Sequence, residues 1–175
     1  MAAGKQTHGY APAYAKHLRS FVRDQRRLTL LEVGILKGSG LAIWSDLFPD
    51  ARILGVDIDL SHARDHWPVL EARGAFAAKN VELHEFDQLA GTADDLAALL
   101  QDDRLDVVID DGLHTEPAIL GTLACVMPLL ASDFVYFVED NPDVHRVIAK
   151  EYPQFSVKSY GELTVILPPP APRMR

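Results

Sequence analysis

Cysteine is almost missing from this 175-residue sequence: Cys125 stands alone. No internal disulfide can form, and a reducing cytoplasm is the expected compartment. Cys125 lies in an apolar, helix-like stretch with nothing nearby in sequence to lower its thiol pKa, which makes it a poor nucleophile. Positive charge is also short. The formal net charge of -8 argues against nucleic acid or an anionic membrane surface as the main partner. There is no run of about 18 apolar residues, and the opening MAAGKQTHGYAPAYAKHL lacks the apolar segment of a signal peptide. Neither a membrane span nor a leader is expected. Internal repeats and low-complexity tracts are missing, as are the Gly-x-Gly-x-x-Gly dinucleotide fingerprint, the Gly-Lys-Ser/Thr end of a phosphate loop and the Gly-x-Ser-x-Gly nucleophile elbow.

What is present is an ordinary globular composition, 48% hydrophobic and 24% charged, long enough for one core and too short for two comfortable ones. One domain is expected over residues 1–167, including a leading helical segment over 1–26, with a frayed proline-rich tail over 168–175. Along the chain, apolar runs of strand length alternate with stretches of helical periodicity. Strands are predicted at Leu28–Gly34, Ala51–Asp59, Asn80–Asp87, from Leu105, and at Asp133–Asp140, and two more flank a turn at Gly161. Helices are predicted between them, with Ser61 and Thr92 as N-caps and a disturbance at Pro68. This alternation implies a doubly wound α/β fold: a mostly parallel seven-stranded sheet covered by helices on both faces, with an antiparallel last strand.

Two of these strands end abruptly in carboxylates. LDVVIDDGLH, Leu105 to His114, and DFVYFVED, Asp133 to Asp140, read as neighbouring buried strands whose carboxyl ends open on one crevice. Asp110, Asp111, His114, Glu139 and Asp140 then converge. Acids so close repel one another unless a cation joins them or some bind protons. The carboxylates of Asp111, Glu139 and Asp140 are the hard oxygen donors that magnesium or calcium prefers. Waters kept by magnesium can give way to a vicinal diol or catechol, and His114 could accept its proton. Alternation along the strand makes Asp110 a structural hydrogen-bonding partner instead. Earlier, EVGILKGSG places Gly34, Gly38 and Gly40 between a strand and a helix, where backbone N–H groups can meet an anion. Without a phosphate motif, a carboxylate-bearing nucleoside fits this loop better than a pyrophosphate. Asp57, ending the next strand, can accept both ribose hydroxyls.

LLEVGILKGSG, GVDID, FDQ, DVVIDDGLH and FVED together resemble the class I S-adenosylmethionine-dependent methyltransferases. More closely, they resemble the metal-dependent macrocin and mycinamicin type of sugar O-methyltransferase, over about Lys5 to Asp140. The resemblance implies a Rossmann-like core and O-methylation of a small hydroxylated substrate, a sugar or an aromatic diol, in secondary metabolism. Glu32, Gly34, Ile35 and Gly38 would border the methionine part of S-adenosylmethionine, Asp57 would hold the ribose, and Asp87 and Gln88 would lie near the adenine. Asp111, Glu139 and Asp140 would ligate magnesium, with His114 as general base; His8 and Tyr10 would close over the cofactor. Leu113 stands where the family commonly has serine, which makes the pocket rim more apolar. A second copy of the chain or a large substrate is expected to cover the site. Two other readings are a non-catalytic S-adenosylmethionine-binding scaffold and a nicotinamide-dependent oxidoreductase, the second disfavoured by the missing fingerprint.

Overall fold

In the computed structural model, residues 9–24 and 27–169 are described. In chain order the elements are α1 (Ala11–Asp24), β1 (Thr29–Val33), α2 (Ser39–Leu47), β2 (Arg52–Asp57), α3 (Ser61–Glu71), β3 (Val81–Glu85), α4 (Ala93–Leu100), β4 (Leu105–Asp110), α5 (Glu116–Val126), a short 3-10 turn (Met127–Leu129), β5 (Leu130–Val138), α6 (Val144–Glu151), β6 (Ser156–Tyr160) and β7 (Leu163–Leu167). The strands form one sheet in the order β3-β2-β1-β4-β5-β7-β6. All pairings are parallel except those of β7, which runs antiparallel between β5 and β6. This is the doubly wound arrangement that the alternation predicted. No helix among the described residues is long and apolar enough to cross a membrane.

Every residue of β1 is buried, and β4 is nearly so, because helices cover both faces. One face packs Leu28, Leu30, Val107, Ile109, Val135 and Phe137 under α1, α2 and α3. The opposite face packs Leu31, Val33, Val108, Tyr136 and Val138 under α4, α5 and α6. The period-2 alternation of a strand assigns each residue to its layer, so the side to which a strand-end acid turns is fixed by parity. Register then fixes its height: Val33 pairs with both Val56 and Asp110, and Asp110 pairs with Val138. The ends of β2, β1, β4 and β5 are therefore level. The crevice lies where the order reverses, between β1 and β4, as it does for ligands in open α/β sheets.

Thr92 caps α4 as expected, in a capping box: its hydroxyl accepts from Asp95 N while the Asp95 carboxylate accepts from Thr92 N at 2.9 Å. Ser61 does not cap α3. It is the first helical residue, and its N–H is taken at 2.8 Å by the Asp59 carboxylate instead. Pro68 is accommodated inside that helix, and β5 begins three residues before the expected Asp133.

Candidate active site

The crevice begins at Gly34, the residue after β1. Its φ is +81°, and a Cβ there would sit 2.4 Å from the carbonyl oxygen of Asp111, so only glycine lets the loops after β1 and β4 touch. Gly34 N and Asp111 N extend the sheet's hydrogen bonds to Val56 O and Val33 O, both at 2.9 Å. Between the loops after β1, β2, β3 and β4 lies a cavity of about 500 Å³ whose walls include Gly34, Asp57, Asp87, Gln88, Asp111 and His114. Four other wall residues, Leu36, Ile58, Leu89 and Leu113, are 60%, 68%, 67% and 48% exposed. A polar floor under a ring of solvent-facing apolar side chains suits a ligand with a flat apolar body and hydrophilic edges. Of this ring, Leu113 alone was singled out from sequence. The missed signal was an apolar residue directly following a polar residue at or just beyond a strand end, as in Asp57-Ile58 and Gln88-Leu89.

Beside the loops after β2 and β3, Asp57 Oδ2 accepts the Leu36 N–H at 3.0 Å and Asp87 Oδ1 accepts that of Leu89 at 2.8 Å. Each carboxylate is held at the rim by its loop. Glu32, Ile35 and Gly38 do not line the cavity; they stand behind it. Glu32 is buried on the α1 face, where a Cβ on Gly40 would come within 2.0 Å of its Oε1. Ile35 is a core residue, and Gly38 starts α2 in the left-handed conformation with φ 75°.

Gln88 lines the cavity beside Asp87, and its amide is also engaged below it. Its Nε2 donates to Asp110 Oδ1 and Thr122 Oγ1, both at 2.8 Å, and its Oε1 accepts from Leu113 N at 2.6 Å. Asp110, 2% exposed, faces α5 as the strand parity requires, and also accepts from Tyr136 Oη at 3.1 Å and from the Gly112 N–H. Burial pushes its carboxyl up to about 7, against the opposing pull of these donors.

Asp111 turns to the opposite face. Asp111, His114 and Asp140 each offer one donor atom, all within 4.8 Å of one another. Asp140 reaches this group because its backbone turns left-handed, φ 56°, a conformation that Asp tolerates better than most residues. Its Oδ2 lies 4.0 Å from His114 Nε2, and its Oδ1 accepts from Tyr10 Oη at 2.6 Å. Tyr10 is thus buried against a member of the acidic cluster, while His8 lies outside the described residues. Glu139 is not brought into the group. It shares the face of Asp111 by parity, but at 3% exposure it is buried under α1 and accepts a hydrogen bond from Tyr14 Oη. Burial and the charges of Glu139, Glu32 and Asp111 hold the Tyr14 phenol well above its ordinary pKa. Cys125 stays remote, its thiol pushed up by burial.

No family model matches the chain. Over 139 residues it is 28% identical to mycinamicin VI 2''-O-methyltransferase of Micromonospora griseorubida, which covers 76% of this chain and 31% of that protein. It is also 28% identical over 141 residues to the 8-demethyl-8-alpha-L-rhamnosyl tetracenomycin-C 2'-O-methyltransferase of Streptomyces olivaceus, covering 76% and 33%. The chain spans about a third of the length of the curated relatives it matches. Among solved structures, the mycinamycin-pathway methyltransferase MycE, in complex with Mg, SAH and mycinamycin VI, superposes with a TM-score of 0.70 at 19% identity, covering 94% of this chain and 50% of that one. The tomaymycin-synthesis O-methyltransferase TomG of Streptomyces achromogenes, in complex with SAM, gives 0.64 at 20% identity, covering 89% and 79%. In sequence the chain is thus similar to curated O-methyltransferases of antibiotic sugars, and in fold to solved methyltransferase structures.

Proposed function

We propose that the chain is an S-adenosylmethionine-dependent O-methyltransferase that works with magnesium on a small hydroxylated substrate, a sugar or an aromatic diol, in antibiotic biosynthesis. The observation that carries this reading is one continuous crevice. Its walls carry Asp57 and Asp87 under an apolar rim together with Asp111 and His114, and the Asp140 carboxylate lies beside the last two. The named relatives, and the ligands in the MycE and TomG structures, support the same assignment.

The donor set fits a small divalent ion. Metal–oxygen bonds of about 2.0–2.6 Å keep the ligands of one ion within roughly 4–5 Å of each other, and the Asp111 and Asp140 oxygens lie within 4.8 Å of one another. Asp111 and Asp140 would hold the ion, which favours so few protein carboxylates because magnesium keeps waters. When bound, it supplies positive charge that lowers the pKa of the acceptor hydroxyl. S-adenosylmethionine, when bound, supplies an electrophilic methyl group and leaves as a thioether. Asp57 takes the ribose hydroxyls, and Leu36, Ile58, Leu89 and Leu113 enclose the apolar parts of the nucleoside. His114 is half-exposed beside Asp140, where its Nε2 would take the acceptor proton. The residues' largest contribution is positioning two reactants, an effect that reaches many orders of magnitude.

Calorimetric titration with S-adenosylhomocysteine, with magnesium and again with a chelator, tests the reading. Saturable binding plus a separate magnesium heat that disappears in Asp111→Asn is the outcome expected. Binding of S-adenosylhomocysteine without any magnesium response, and no methyl transfer to a diol, would leave a non-catalytic binder. No binding in either condition removes the proposal.

A further inference from the structure

His114 sits on a loop that neighbouring regular structure does little to hold. Residues 111–115 lie between β4 and α5, and Thr115 at the mouth of α5 makes no side-chain cap. The loop folds on itself through a bond from Thr115 N to Leu113 O at 2.7 Å, a three-residue turn centred on His114. A base on so short a turn needs its peptide fixed from outside, since an ångström of misplacement is costly in a group-transfer reaction.

Two carboxamides supply the grip. On one side, Gln88 takes the N–H of Leu113 at 2.6 Å and is itself anchored on Asp110 and Thr122. On the other, Asn141 Nδ2 donates to the carbonyl of His114 at 2.9 Å. Asn141 is anchored as firmly: its Oδ1 accepts from Asp143 N at 3.0 Å and Val144 N at 2.8 Å, and its own N–H goes to Glu162 O at 3.0 Å. The partners leave no ambiguity about its amide orientation, because two N–H donors face one atom and a carbonyl faces the other. Asn141 also directly follows Asp140. One residue therefore ties the loop carrying the base to the loop carrying an ion-binding carboxylate.

We infer that Asn141 is a positioning residue, whose carboxamide fixes the His114 peptide against the Asp140 loop and so sets the distance between base and ion. The inference rests on the O-methyltransferase reading for the purpose of that distance, while the clamp itself is a matter of geometry. Serine at 141 retains a hydroxyl acceptor for the α6 amides and adds no charge, but is too short to reach the His114 carbonyl. The test uses Mn2+ as the ion and NMR of the histidine ring protons, with the His114 resonance assigned by its loss in His114→Ala. Paramagnetic broadening depends steeply on the distance to the ion, so it reads the position of His114 without any substrate.

In the wild type, saturating Mn2+ should broaden His114 strongly. In Asn141→Ser the broadening should fall, because loss of one ordinary hydrogen bond of about 1 kcal/mol shifts the ratio of positioned to displaced loop roughly fivefold, while S-adenosylhomocysteine affinity stays unchanged. With any diol that the wild type methylates, kcat should fall and the KM for S-adenosylmethionine should not, a split that a general loss of stability would not produce. Should Asn141→Ser fold poorly, Asn141→Asp keeps the Oδ1 acceptor and the shape, lacks the donor, and is judged by the same broadening at saturating Mn2+. Equal broadening in the wild type and the folded variant overturns this inference alone. A wild type whose His114 does not respond to Mn2+, and which binds no S-adenosylhomocysteine, overturns the reading of the site beneath it.

Discussion

At Gly34 the loop after β1 lies against the backbone of Asp111 and Gly112, and an added methyl group measures how tightly the crevice is built. In Gly34→Ala the new Cβ would meet Asp111 O and Gly112 Cα at 2.4 Å and Asp111 C at 2.6 Å. All three are backbone atoms, so no side chain can swing aside. Holding alanine at φ +81° costs about 1–2 kcal/mol. Relieving the overlap requires the loops to part by about an ångström, which stretches the bonds Gly34 N to Val56 O and Asp111 N to Val33 O, now 2.9 Å each. At roughly 0.5–1.5 kcal/mol apiece, the sum is on the order of 2–5 kcal/mol, a large part of a typical folding margin of about 5–15 kcal/mol. A chain of this size should then melt roughly 5–20 °C lower. Gly161→Ala is the control. Its φ is +70° with nothing within 4 Å, so it bears the conformational cost alone. Thermal denaturation of both variants, with S-adenosylhomocysteine titration of each, separates the two contributions: Gly34→Ala should be clearly the less stable and lose affinity, because Asp111 moves with its loop. Equal melting temperatures, or wild-type affinity in Gly34→Ala, would refute the close approach.

Four further outcomes are expected. His114→Ala should abolish methyl transfer to a diol and leave S-adenosylhomocysteine affinity nearly unchanged; turnover at the wild-type rate would show that the base is elsewhere. Asp57→Ala should do the reverse, weakening cofactor binding in a titration while turnover at saturating cofactor persists. Tyr10→Phe removes the 2.6 Å bond to Asp140 and should weaken Mn2+ binding by roughly tenfold, as loss of a partner behind a metal-binding group commonly does; unchanged Mn2+ affinity would make that contact incidental. Asp110 gives a pH dependence. Its carboxyl rises from an ordinary 3.8 to about 7 in the folded chain, so the folded state holds this proton more tightly than the unfolded one. The contribution to stability is complete below about pH 4 and is lost as pH rises through about 7, an upper bound of roughly 4 kcal/mol. Urea midpoints at pH 5 and pH 8 in chelator should therefore converge in Asp110→Asn, and parallel slopes in the two proteins would contradict the buried charge.

The split between Asp110 and Asp111 illustrates what can be read in advance. Alternation in LDVVIDD sends one acid to each face, and the structure seats Asp110 in a hydrogen-bonded pocket under α5 and Asp111 at the crevice. The same parity, applied to FVED, admits Glu139 or Asp140 to the side of Asp111, not both by strand geometry alone. The structure answers with a backbone turn at Asp140, while Glu139 keeps the strand direction and meets Tyr14. A left-handed residue has no periodic signature, so the composition of the cluster was not legible. Gln88 is a similar case: its position after Asp87 placed it at the crevice, yet its amide is taken by Asp110, Thr122 and Leu113, partners 22 to 34 residues away.

The sequence by itself determined the order of strands and helices, the layers to which their apolar residues belong and the ends at which carboxylates emerge. These follow from periodicities and stop signals that act within a few residues. Which carboxylates gather beside His114, which amide grips the His114 loop, and that Tyr10, just before α1, and Tyr14, on it, stand behind Asp140 and Glu139 were decided only by the tertiary structure. Those contacts join segments up to 130 residues apart, and their geometry depends on register and helix packing that no local pattern encodes.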